Sequence, residues 1–153
     1  MALAKPSVVF DTNTVLDLWV FNDVRLGPLR LALEAGRLEL FSREDCLGEL
    51  KYVLTYPSLA VPEERQRSLF ADYVRQVKQV APPPGDAPEL PRCRDRADQK
   101  FLEVARDAPA QWLVSRDKAL LGLADHRLIE PRFRVLTPAR FASALAEGSV
   151  LGA

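Results

Sequence analysis

The chain has 153 residues, 48% of them hydrophobic and 27% charged, and it carries 21 basic and 21 acidic residues. This length and composition predict one globular domain, residues 1–153, that buries roughly two thirds of its unfolded surface. The zero net charge excludes a general attraction for polyanions, so nucleic-acid binding would require local clusters of cations.

In chain order, a short apolar run at residues 7–10, SVVF, predicts a fully buried first strand. A helical region follows to about residue 35, with Pro28 as a break near its middle and Gly36 as its C-terminal cap. Residues 38–42, LELFS, predict a second strand.

The next segment, residues 42–56, has apolar residues at helical intervals and opens with Ser42 and Asp45 in capping-box spacing. A further helix is predicted from about residue 62 to residue 80. Its last residues are compatible with either a helix or a strand.

The second half of the chain begins with a loop, residues 81–94, which holds five of the twelve prolines. Helices and strands then alternate to the end. They are a helix at 95–108 with Asp95 as its N-cap, a strand at 111–115, a helix at 117–125, a strand at 133–137 and a helix at 138–148. This alternation predicts an α/β fold, in which a central parallel sheet of about five strands has helices on both faces.

The chain shows no sequence signal for membrane insertion or secretion. No stretch is long and apolar enough to span a membrane, and the first ten residues lack the apolar core and cleavage site of a signal peptide. Cys46 and Cys93 lie far apart without the spacing of a metal site. We therefore expect a cytoplasmic protein with reduced thiols, and a disulfide is the alternative.

Two aspartates come after predicted strands, Asp11 in SVVFD and Asp117 in WLVSRD. Ligands of open parallel sheets bind outside the carboxyl ends of the strands, so both acids are expected at the ligand-binding edge. Asp also accepts hydrogen bonds from the free amides at a helix start. A site role and a capping role are therefore both open for each residue.

Asp98 shares a predicted helix face with Leu102 and Ala105, and that face should point into the protein. An acid in this position is either a capping-box partner of Asp95 or a site residue.

Glu49 lies at the border of an apolar helix stripe that contains Cys46 and Val53. It is either a site residue or a solvated glutamate paired with Lys51 or another cation.

Three segments carry these acids in a fixed order, VVFDTNTVLDLW, LELFSREDCLGELKYVL and DRADQKFLEVARDAPAQWLVSRDKALLGL, and a fourth segment, FRVLTPARFASAL, follows them. They cover nearly the whole chain apart from residues 56–90. In this order, and with LVSRD and the final LTPARF, they resemble the PIN-domain family. Within that family, the sequence is most similar to the toxin components of toxin–antitoxin systems.

PIN domains are metal-dependent ribonucleases with a parallel central sheet and an acidic pocket at its carboxyl edge. The resemblance implies that the catalytic residues, which are also the metal ligands, are Asp11, Glu49, Asp98 and Asp117. It implies supporting roles in the pocket for Asn13, Ser115 and Asp95. It also implies a cognate antitoxin as partner and a homodimer.

An oxygen-only ligand set suits Mg²⁺ or Mn²⁺, and clustered carboxylates need a cation to offset their repulsion. The only histidine, His126, is predicted to be a solvated loop residue. A bound ion would lower the pKa of a water and orient it towards a phosphodiester bond. We therefore expect an Mg²⁺- or Mn²⁺-dependent endoribonuclease, and family precedent implies a 5′-phosphate product.

Local cations flank the predicted pocket. Arg94 and Arg96 lie in the segment that leads to Asp98, and Arg116 and Lys118 lie on either side of Asp117 in the sequence. They are candidates for contacts with RNA phosphates. The alternative is a solvated or internally paired run of charges.

Two other functions are compatible with parts of this pattern. A non-catalytic PIN-fold module would bind RNA or a protein, but it would not need the four retained acids. A haloacid-dehalogenase-like phosphatase also has an acid after its first strand, but its motif has a second acid where Asn13 stands.

Overall fold

Five short strands form one sheet in the computed structural model, which describes residues 5–148. The strands are β1 (Ser7–Phe10), β2 (Glu39–Ser42), β3 (Val77–Gln79), β4 (Trp112–Val114) and β5 (Arg134–Leu136). Their spatial order is β3-β2-β1-β4-β5, and all neighbours are parallel. The predicted parallel α/β sheet is confirmed. The outermost residues of the predicted domain, 1–4 and 149–153, lie outside the described range.

Seven α-helices accompany the strands within the described residues. They are α1 (Thr12–Trp19), α2 (Gly27–Glu34), α3 (Glu44–Val53), α4 (Glu63–Gln76), α5 (Gln99–Asp107), α6 (Lys118–Leu121) and α7 (Pro138–Ala146). Short 3-10 turns lie at Val24–Leu26, Pro57–Leu59 and Arg96–Asp98. None of the helices between residues 5 and 148 has the length and apolar character that crossing a membrane requires.

The strands build two cores because successive side chains point to opposite faces of the sheet. In β1, Val8 and Phe10 belong to one core and Val9 to the other. The first core also contains side chains of α1, α2, α3, α4 and α7, and the second contains those of α5 and α6. Each fully buried Leu or Phe in these cores contributes about 1.5–3 kcal/mol. The prediction of helices on both faces is confirmed.

The strand order reverses beside β1. The chain continues outward from β1 to β2 and β3, then crosses to the other side of β1 for β4 and β5. Connections that leave β1 and β4 in opposite directions open a crevice at the carboxyl ends of these two strands. The fold therefore favours a ligand site after Phe10 and Val114.

In the first half of the chain, several helices and strands have other boundaries than the sequence predicts. The helical region up to residue 35 is two helices, and Pro28 lies in the first turn of α2. Gly36 follows α2 with φ +66°, as a C-terminal cap requires. The predicted capping box is wrong, because Ser42 ends β2 and the Asp45 carboxylate accepts a hydrogen bond from Arg43 Nε at 2.8 Å.

In the later part of the chain, the helix predicted at residues 62–80 ends at Gln76, and strand β3 follows it. The helix predicted at 117–125 is only four residues long. Asp95 caps a 3-10 turn, so that α5 begins later than predicted.

The Pro-rich loop contains no helix or strand, as predicted, but it is anchored on α5. Gln99 accepts a hydrogen bond from the Cys93 amide at 2.7 Å and donates one to the Pro91 carbonyl at 3.0 Å. Arg106 donates to the Pro88 carbonyl at 3.2 Å. These side chains hold the segment that leads to Asp95. Both cysteines are buried free thiols, in agreement with the prediction.

Candidate active site

The carboxyl ends of β1 and β4 place Asp11 beside Ser115. Phe10 pairs with Val114 in the sheet, so the next residues of the two chains are neighbours. The Ser115 hydroxyl donates to Asp11 Oδ2 at 2.6 Å, and both side chains are buried, with Asp11 only 3% exposed.

Asp11 also caps helix α1. Its Oδ1 accepts hydrogen bonds from the Thr14 amide at 2.9 Å and from the Thr14 hydroxyl at 2.6 Å. Burial raises the pKa of Asp11, whereas the hydrogen bonds from Ser115 and Thr14 and the charge of Arg116 lower it. The capping role is therefore confirmed, and the same residue lies at the predicted edge of the sheet.

Ser115 connects Asp11 to the next acid. Its hydroxyl oxygen accepts a hydrogen bond from the Asp117 amide at 2.9 Å. Asp117 Oδ1 in turn accepts from the Ala119 amide at 2.7 Å, so Asp117 caps α6. A single buried hydroxyl thus orients one carboxylate and fixes the backbone of another.

A cluster of three carboxylates lies next to this connection. Asp95, Asp98 and Asp117 each offer an oxygen, and these oxygens lie within 4.8 Å of one another. The capping box proposed for Asp95 and Asp98 is wrong, because Asp95 accepts from the Ala97 amide at 3.0 Å while the Asp98 carboxyl is hydrogen-bonded to Asp117. In the part of the chain that the structure describes, this is the one group of three or more such ligands.

The cluster is short of positive charge. Burial, the hydrogen bond with Asp117 and repulsion from Asp95, Asp117 and Asp11 raise the pKa of Asp98 to about 7. Two carboxyl groups can share a hydrogen bond only when one of them carries a proton. Near neutral pH, a proton therefore occupies a position that a metal cation could take.

The spacing and chemistry of the three oxygens fit a hard divalent cation. Metal–oxygen distances of about 2.1 Å separate the ligands of one Mg²⁺ by about 3–4.2 Å. The separations within the cluster, up to 4.8 Å, need only small side-chain shifts to reach that geometry. Carboxylate oxygens without sulfur or imidazole ligands favour Mg²⁺ or Mn²⁺ over Zn²⁺ or Cu²⁺.

Glu49 lies outside this group of three. Its Oε2 accepts a hydrogen bond from the Thr12 hydroxyl, and its Oε1 lies 3.2 Å from Lys100 Nζ. The predicted pairing of Glu49 with a cation is confirmed, but the partner is Lys100 instead of Lys51. Sequence reasoning missed this contact because α3 and α5 supply the partners, 51 positions apart.

Two other predicted residues take less central positions. Asn13 is exposed in the first turn of α1, and its supporting role stays a prediction. His126 is partly buried, and its Nδ1 accepts a hydrogen bond from the Leu128 amide at 3.1 Å. His126 therefore lies in a loop, as predicted, but it is only partly exposed to solvent.

The predicted phosphate-binding cations divide into two kinds. Arg116 forms a two-pronged ion pair with Asp17, at 2.7 Å from Nε and 3.0 Å from Nη2, which confirms internal pairing for this arginine. Arg94, Arg96 and Lys118 are exposed and form no ion pair with any described residue. Their contact with RNA stays a prediction.

One cavity of the described residues contains none of the predicted acids. It has a volume of about 910 Å³ and lies between the start of α3, the residues after β3 and Glu103 of α5. Its arginine, Arg43, is already paired with Asp45 and Glu103 at 2.8 and 2.7 Å. The arrangement of carboxylates is therefore a better guide to the chemistry than cavity size.

A family model described as "PIN domain" matches residues 7–119, a range that contains all four predicted acids. None of the curated proteins matches the chain. The crystal structure of PAE2754 from Pyrobaculum aerophilum is similar, with a TM-score of 0.56 and 14% sequence identity, over 93% of this chain and 90% of that one. At this identity, the likeness concerns the fold alone.

Proposed function

The chain belongs to the PIN-domain family, whose members are generally nucleases, and we propose that it is an Mg²⁺- or Mn²⁺-dependent endoribonuclease. The observation that carries the proposal is the cluster of Asp95, Asp98 and Asp117 at the crevice after β1 and β4, with the pKa of Asp98 raised to about 7. Acids that repel one another at a ligand-binding edge favour a cation site over a purely structural role.

In the proposed site, four acids are both the metal ligands and the catalytic residues: Asp11, Glu49, Asp98 and Asp117. Asp95 supports the cluster, and the Ser115 hydroxyl orients the Asp11 carboxylate and fixes the backbone of Asp117. Bound there, the cation would lower the pKa of a water and stabilise negative charge on the phosphate. Because His126 is bonded to the Leu128 amide, we assign the acceptance of the water's proton to a carboxylate.

Single-stranded RNA is the proposed substrate, and exposed cations beside the acids support this choice. Arg92 and Arg96 line a groove of about 520 Å³ between the Pro-rich loop and α5, with Leu90 and Cys93 as its apolar part. A groove with both cationic and apolar surface is suited to a phosphate and an unpaired base.

Replacing Arg94 and Arg96 together by Ala should weaken RNA binding and flatten its salt dependence, by a slope of about 0.7 for each lost phosphate contact. A matched control replaces Arg37 and Arg134, which lie before β2 and at the start of β5, at the opposite edge of the sheet. Fluorescence anisotropy with a labelled, non-cleavable RNA strand at several salt concentrations gives both slopes. Equal slopes in the two double variants would indicate that Arg94 and Arg96 are solvated charges that do not contact RNA phosphates.

The experiment that tests the function is RNA cleavage by the purified protein with Mg²⁺, with Mn²⁺ and with a chelator. We expect cleavage only with metal, and products that carry 5′-phosphates. Binding without cleavage would favour the non-catalytic module instead. Hydrolysis of small phosphomonoesters in place of RNA would favour the phosphatase.

The proposal includes a role as the toxin of a type II toxin–antitoxin system, with an antitoxin partner, a homodimer and a cytoplasmic location. These parts are supported by the sequence resemblance alone. Co-purification with the product of an adjacent gene, followed by a mass measurement in solution, tests both the partner and the dimer. A monomer that binds no such product would count against them.

A further inference from the structure

Lys100 is held in place beside the proposed site by three contacts. Its ammonium group lies 3.2 Å from Glu49 Oε1, donates to the Ala97 carbonyl and lies 5.0 Å from the centre of the Phe101 ring. Only 15% of its side chain is exposed. A lysine on a solvated helix face would sample many rotamers, whereas this one is ordered by its surroundings.

Glu49 is satisfied without a metal ion. One oxygen binds Lys100 and the other accepts from the Thr12 hydroxyl, and 27% of the side chain is exposed. The contrast with Asp98 is informative, because Asp98 is crowded by acids and its pKa is raised, whereas Glu49 has its own cation. The charge of Glu49 is therefore offset by a lysine, whereas the surroundings of Asp98 favour its protonated form.

We propose that Lys100 is a tethered cation that competes with the divalent metal for Glu49. The proposal rests on the proposed function, because it takes Glu49 as a metal ligand. The ammonium group at 3.2 Å occupies one of the directions from which Oε1 could bind an ion, and its charge repels a divalent cation at this carboxylate, so Lys100 opposes metal binding to Glu49. Lys100 is thus a positioning residue, which stabilises the metal-free protein and limits its affinity for metal.

Removing the charge of Lys100 should therefore tighten metal binding. Lys100→Met keeps most of the aliphatic stem, but it removes the ammonium group over the Phe101 ring and with it the repulsion of a divalent ion. We expect the dissociation constant for Mn²⁺ to fall roughly threefold to tenfold. The metal-free variant should melt at a lower temperature, because the partly buried Glu49 loses its counter-ion.

The test is a titration of each variant with Mn²⁺, in which free Mn²⁺ is measured by electron paramagnetic resonance and no RNA is present. Lys100→Gln repeats the charge removal in case Lys100→Met unfolds, and Lys100→Arg should bind Mn²⁺ no more tightly than the wild type. The matched control is Lys78→Met, which breaks a 2.5 Å ion pair with Glu39 between β3 and β2. It removes the same charge outside the site and should leave Mn²⁺ binding unchanged.

Unchanged or weaker Mn²⁺ binding in both Lys100→Met and Lys100→Gln would overturn the tethered cation. If Asp98→Asn still weakens Mn²⁺ binding, that result leaves the proposed function intact. Mn²⁺ binding that does not depend on Asp98 would instead overturn the metal site, and with it both proposals.

Discussion

Asp98→Asn and Asp117→Asn should each lower metal-dependent RNA cleavage by about 100-fold or more, because each removes a charge from the cluster proposed to hold the metal. Asn preserves the size of the side chain and leaves one oxygen that can accept a hydrogen bond. Asp117→Asn can therefore still cap α6 through the Ala119 amide, and Asp98 makes no side-chain cap bond at the start of α5. We expect both variants to fold, as circular dichroism can verify.

The matched control for these variants is Asp45→Asn. Asp45 lies in the first turn of α3, where its carboxylate pairs with Arg43 and accepts from the Cys46 amide. It is an acid of the same kind outside the three-carboxylate cluster, so this variant should retain wild-type cleavage. Full activity of Asp98→Asn and Asp117→Asn at saturating Mn²⁺ would exclude the cluster as the catalytic metal site.

The second large effect is on the stability of the metal-free protein, which substitution of Asp11 should lower and substitution of Asp98 should raise. Asp11→Ala should lower the free energy of unfolding by about 1–3 kcal/mol, because it leaves the Thr14 amide and the Ser115 hydroxyl without their acceptor. Asp98→Asn should raise the stability of the metal-free protein at pH 8. In this variant, an uncharged side chain replaces a carboxylate that Asp95 and Asp117 repel.

The pH dependence follows from the direction of the pKa shift. The pKa of Asp98 is about 7 in the folded protein, compared with 3.8 for an aspartate without these surroundings, as in the unfolded chain. The folded state therefore binds this proton more tightly than the unfolded state does. The metal-free wild type should therefore lose stability as the pH rises from about 4 to about 7. Because the side chain is partly exposed, we expect this loss to be about 1–2 kcal/mol, or a few degrees in melting temperature.

Melting curves of the metal-free proteins at pH 4 and pH 8 check both signs. Asp98→Asn should melt close to the wild type at pH 4 and above it at pH 8, whereas Asp11→Ala should melt lower at both values. Added Mn²⁺ should raise the melting temperature of the wild type more than that of Asp98→Asn, since the ion binds only the folded site. A uniformly destabilised Asp98→Asn, with an undiminished response to Mn²⁺, would indicate that Asp98 is structural.

The sequence by itself determined the fold class and the position of Asp11 and Asp117 after the strands β1 and β4. Alternating apolar runs such as SVVF report which residues face a core, and this pattern depends only on residues a few positions apart. The capping role of Asp11 is local in the same sense, because its partner Thr14 is three residues away. The capping box of Ser42 and Asp45 failed because the β2 strand continues through Ser42 and a salt bridge takes the Asp45 carboxylate.

Only the tertiary structure decided which charges meet. Ser115 bridges two acids because β4 pairs with β1, about a hundred positions earlier in the chain. The same long-range packing pairs Glu49 with Lys100 and Arg116 with Asp17. Glu49, a predicted metal ligand, therefore already has a cation beside it, and Arg116, a predicted phosphate-binding residue, is already paired with an acid. Local periodicity contains no information on such partners, since the register of the sheet and the packing of α5 against α3 bring them together.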